Sequence, residues 1–74
     1  MEAKEFFIVV LDFNSVSVNH YELEKEEFAK IADEIGADDA DEVVQEFINR
    51  AGHHLSEVEY MFSEEEIETV NHLL

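Results

Sequence analysis

An α+β fold in the order β-β-α-α-β-α is predicted by three features of the sequence. Residues 5–13 are dense in β-branched and aromatic side chains, two later segments carry helical-period apolar stripes, and residues 57–62 alternate polar and apolar. Together they imply a small domain with a three-stranded, mostly antiparallel sheet, its N-terminal hairpin packed against helices. At 74 residues the chain is expected to be a single acidic domain, 1–74, near the lower limit for a self-sufficient core.

The hairpin comes first. Glu5 to Phe13 reads as a strand, Asn14-Ser15 as a two-residue turn, and Val16 to Leu23 as the returning strand. Both faces of the first strand are apolar: Phe7, Val9, Leu11 and Phe13 on one, Phe6, Ile8 and Val10 on the other. A strand of that kind needs cover on both sides, which places it in the middle of the sheet with the third strand beside it. The second strand mixes in Ser17, Asn19 and His20 and suits an edge.

Two helices follow. Phe28, Ile31, Ala32 and Ile35 recur at i, i+3, i+4 and i+7, and Gly36 stands where a left-handed residue ends a helix. Asp38 or Asp39 is placed to cap the next helix. Its stripe is Ala40, Val43, Val44, Phe47, Ile48 and Ala51, with Gly52 behind it. Residues 57–62 then set Val58, Tyr60 and Phe62 against Glu57, Glu59 and Met61, the pattern of a short strand. Ser63-Glu64-Glu65-Glu66 has capping-box form, and Ile67, Val70 and Leu74 supply a stripe for a terminal helix. One continuous helix over 56–74 is the competing reading.

Charge narrows the function more than any motif. Twenty Asp and Glu face four Lys and Arg, a formal net charge of −16. Such a surface repels nucleic acid and anionic membrane and attracts basic protein surfaces, so neither direct nucleic-acid binding nor a membrane partner is expected. The longest apolar run, Phe6 to Leu11, is six residues, far short of a span, and its acidic flank does not suit a signal peptide. With no cysteine, a cytoplasmic location is expected.

Off the apolar stripes lie Glu26, Glu27 and Asp33 on the first helix and Asp41, Glu42 and Glu46 on the second. Carboxylates one turn apart are separated by about 6 Å along a helix, a spacing similar to that of backbone phosphates. These six are the candidate binding surface, and the reading they support is a non-enzymatic inhibitor or DNA mimic that occupies the basic site of a nucleic-acid-binding protein. In size, acidity and lack of cysteine the chain is similar to small phage and mobile-element inhibitors, a similarity of composition. A plain solvated acidic surface is the ordinary alternative, though such faces usually mix signs. The alternative function is a homo-oligomeric assembly module, a homodimer in its simplest form. Its interface is the apolar sheet face of Phe6, Ile8 and Val10, expected to lie opposite the helices.

Other chemistry finds little support. Asp38-Asp39-Ala40-Asp41-Glu42 does not make a calcium loop, because Val43 and Val44 take the positions of the third ligand and the obligatory glycine. His53 and His54 are adjacent loop residues, expected to be solvated, and His20 and His72 are isolated, so no metal site is predicted. His53 does fall where a helix C-terminus and the acidic field favour its charged form. No glycine-rich phosphate loop and no activated nucleophile is present, so no cofactor and no catalytic residue is assigned.

Overall fold

The computed structural model describes residues 5–70 and 72. Strand β1 (Glu5–Asp12) turns into β2 (Ser17–Glu24), helices α1 (Lys25–Ile35) and α2 (Ala40–Arg50) follow, and a single 3-10 turn (Leu55–Glu57) leads into β3 (Val58–Ser63). The sheet has the order β2-β1-β3, with β1 antiparallel to both neighbours. The predicted α+β fold and the central position of β1 are therefore observed.

The turn differs from expectation. Asp12 pairs with Ser17, so four residues rather than two close the hairpin. The cause is the Asp12 carboxylate, whose Oδ1 accepts from the Asn14 and Ser15 N–H groups at 3.0 and 3.1 Å and winds the chain into a local turn. Val16 closes that turn at φ 55°, a left-handed conformation that costs a β-branched residue about 1–2 kcal/mol.

The helices end as their sequences dictate. Gly36 adopts φ 65° and stops α1, and the Asp39 side chain accepts the Glu42 N–H at 3.0 Å to start α2. Both helices lie on one face of the sheet. Phe6, Ile8 and Val10 point into that layer, together with Leu23 of β2, Val58 of β3, and Val44 and Ile48 of α2. Phe6, Phe28 and Phe62 form an aromatic cluster with centroids 4.5–5.9 Å apart, and Tyr21 meets Phe47 edge-on at 5.3 Å. Burying each aliphatic side chain there contributes about 1.5–3 kcal/mol.

The predicted terminal helix is not formed over residues 64–70, which run without regular structure; Leu74 lies outside the described residues. Ser63 does accept the Glu65 N–H at 2.9 Å, yet the cap has no helix behind it. Glu64, Glu65, Glu66 and Glu68 repel one another at helical spacing, Ile67 and Val70 are β-branched, and the helix-binding face is already filled. The segment instead passes over the other side of the sheet. Thr69 Oγ1 lies 3.0 Å from His20 Nε2, and Glu66 and Ile67 border a groove with Phe7, Val9 and His20.

Candidate functional site

The register of the three strands separates the two faces of the sheet. Phe6, Ile8 and Val10, the predicted interface, are 9%, 0% and 0% exposed beneath the helices. They are the core, and no surface remains on them for a partner. Both faces of β1 are apolar, so the choice fell to its neighbours. Leu23 and Tyr21 of β2 and Val58, Tyr60 and Phe62 of β3 share the Phe6–Ile8–Val10 side. The opposite side pairs Leu11 with Val18 and Glu59, and Val9 with His20 and Met61.

That opposite side is the open one. Leu11, Val18 and Met61 are 39%, 58% and 52% exposed, and Phe13 at the hairpin tip is 62% exposed. Two shallow apolar depressions share Leu11: one runs to Phe13, Val16 and Val18, the other to Val9, Glu59 and Met61. With Phe6, Ile8 and Val10 expected opposite the helices, the face of Phe7, Val9, Leu11 and Phe13 falls to the helix side, the reverse of what the structure shows.

The acidic helical layer divides into two parts. On α1, Glu26, Glu27 and Asp33 are exposed and take part in no side-chain hydrogen bond or ion pair among the described residues. On α2 all three candidates are engaged. Asp41 accepts from the Tyr60 hydroxyl at 2.7 Å and from Gln45 at 3.0 Å, tying α2 to β3. Burial, and then the bond to Asp41, raises the Tyr60 pKa above its ordinary 10.0. Glu42 accepts the Asp38 N–H at 3.2 Å, completing the helix cap. Glu46 holds Arg50 at 2.8 Å, and Arg50 reaches across to Glu34 of α1 at 3.0 Å. Those carboxylates, Glu46 before Glu34, keep the guanidinium protonated. The six candidates therefore do not act as one array: α1 supplies free charges and α2 supplies charges already in use.

His53 corrects a further expectation. His54 is solvated, whereas the His53 side chain is only 10% exposed and sits between Asp12 and Tyr21. Its Nδ1 lies 2.6 Å from Asp12 Oδ2 and its Nε2 lies 2.6 Å from the Tyr21 hydroxyl. An ionised carboxylate only accepts, so Nδ1 carries the hydrogen; in the neutral ring Nε2 then accepts from Tyr21. The His53 N–H, followed by the Ser15 N–H, holds the Asp12 pKa below its ordinary 3.8. The relay clamps the loop after α2 to the end of β1 and the middle of β2. No local pattern in the sequence announces it, because the His53 partners are 41 and 32 positions away.

Among the described residues no three His, Asp or Glu converge to hold a metal ion, and no helix is long and apolar enough to cross a membrane. No protein-family model, no curated protein sequence and no solved structure matches this chain.

Proposed function

We propose that this chain is a small non-enzymatic binding protein that engages a basic protein surface, in its most concrete form by occupying the nucleic-acid site of a nucleic-acid-binding protein. The observation that carries this reading is the lack of opposing charge. Of the cations in the described residues, Arg50 is held by two carboxylates and Lys25 lies 5.4 Å over the Phe6 ring. Lys30, on α1 with Glu26, Glu27 and Asp33, is the third. A field of one sign over a rigid scaffold steers a cationic partner and rejects nucleic acid itself.

The test is capture of partners by tagged protein at low and high salt, with competing duplex DNA. A basic nucleic-acid-binding protein held at low salt, released at high salt and displaced by DNA is expected, as is its loss in a Glu26→Lys, Asp33→Lys double variant. Capture that is indifferent to salt contradicts the reading. The second reading, self-assembly, now rests on Leu11, Val18 and Met61 rather than on Phe6, Ile8 and Val10. An equilibrium mass above that of one chain, restored to one chain by Leu11→Ser, would favour it.

A further inference from the structure

We infer that the open sheet face receives a cationic amphipathic helix of a partner protein, its apolar side on Leu11, Val18 and Met61 and its Lys or Arg side chains on the surrounding carboxylates. The inference deepens the reading above, because it names where a basic partner sits and what shape it has.

Three observations lead there. First, the helices cover the whole of one side of the sheet, while the other side is left open in its hairpin half. Packing one layer of helices on a sheet is how this chain buries Ile8 and Val10, and the open side offers the same kind of apolar surface to a further helix. Second, the apolar patch is confined to the hairpin half of that face. The other half, around Phe7 and His20, lies beneath Glu66, Ile67 and Thr69. The free area is thus short and bounded, suited to a few apolar anchors at i, i+3 and i+4 rather than to a broad surface.

Third, the border of the patch carries one sign. Glu59 pairs with Leu11 and lines the depression that Leu11 shares with Met61, and Glu66 stands in the adjoining groove beside Val9. The described Lys and Arg residues, Lys25, Lys30 and Arg50, are all on the helices. A second copy of this chain would bring the same carboxylates against themselves, a like-charge contact that opposes association. A helix with an apolar stripe and flanking cations satisfies both the patch and its border. Val16 adds a local sign of the same use: an exposed Val held in a left-handed turn at the edge of the patch retains apolar surface where Asn or Gly would relieve the backbone.

The experiment is an NMR titration of uniformly nitrogen-15-labelled protein with a synthetic Leu/Lys helix of about 14 residues, leucines spaced for one face. A scrambled peptide of identical composition serves as control. The expected result is shift changes centred on Leu11, Val18 and Met61, and affinity about tenfold tighter than for the scrambled peptide. A Leu11→Ser, Met61→Ser variant should lose that advantage while its melting curve stays in place. Shifts confined to α1, with equal affinity for both peptides, overturn the inference and leave the acidic-surface reading standing. Binding of neither peptide overturns both. Self-association abolished by the same double variant makes a second copy the occupant and also overturns it.

Discussion

The two faces of the sheet are built from the same strand with nearly the same apolar content, and they have opposite fates. On one, Ile8 and Val10 vanish beneath α1 and α2; on the other, Leu11 stays in solvent two positions away from the buried Val9. The difference does not reside in β1. It comes from β2 and β3, which add Leu23, Tyr21, Val58, Tyr60 and Phe62 to one side but Val18, His20, Glu22, Glu59 and Met61 to the other. A central strand can be apolar on both sides, while its neighbours decide which side is core.

The largest test of that contrast is paired truncation. Ile48→Ala, beneath the sheet, should lower stability by about 2–5 kcal/mol in urea unfolding. Met61→Ala, on the open face, should change it by no more than about 0.5 kcal/mol. Equal losses would mean that the open face is covered in solution.

Next in size is the relay that closes the covered side. Tyr21→Phe removes one hydrogen bond and leaves His53 Nε2 without its partner, an expected loss of about 1–2 kcal/mol. Asp12 adds a pH dependence. Its folded pKa is depressed, so its contribution is present above the ordinary 3.8 and is lost as pH falls through the lower folded value. The melting temperature of wild type should exceed that of Asp12→Asn at neutral pH, and the gap should close on acidification through that window. A constant gap would place the effect elsewhere.

On the open side, relief of strain should be visible instead. Val16→Asn is expected to stabilise the hairpin by about 1 kcal/mol, since Asn tolerates the left-handed conformation. The smallest effect concerns the acidic end of the sheet. A hydrogen bond that protonated Glu5 donates to the Glu22 carboxylate, more than burial or the charges of Glu22 and Glu24, raises Glu5 above its ordinary 4.5. A raised carboxyl favours the protonated folded state, so wild type gains stability as pH falls through that raised range. Glu22→Gln should therefore give a slight rise in melting temperature at neutral pH that disappears in acid.

Much of this fold was legible. The stripes of α1 and α2, the glycine stop at Gly36, the Asp39 cap and the alternation of β3 each appear where local physics puts them. The misassigned parts depended on distance or on competition. Phe6, Ile8 and Val10 looked like an interface because alternation within β1 carries no information about which side the helices take. The phase of β3, with Val58, Tyr60 and Phe62 apolar, held that information once the register with β1 was known. Ser63 through Glu66 had the form of a helix start, but the cap is worth less than the repulsion among its own glutamates and the lack of a face to bury. His53 was hidden for another reason: its partners meet it only after the chain has folded. The acidic candidates were legible as polar-face residues, and the engagement of Glu42 by Asp38 and of Glu46 by Arg50 was legible in their four-residue spacing. The Tyr60 bond to Asp41, 19 positions away, and the Arg50 reach to Glu34 needed the fold.

The most direct measurement is equilibrium unfolding of the pair Ile8→Lys and Leu11→Lys, made in parallel with wild type. Opposite fates are expected: Ile8→Lys should show no folded baseline, because a lysine has no partner in that core. Leu11→Lys should unfold within about 0.5 kcal/mol of wild type. A folded Ile8→Lys beside an unfolded Leu11→Lys would reverse the two faces, and with them the surface to which a partner is assigned.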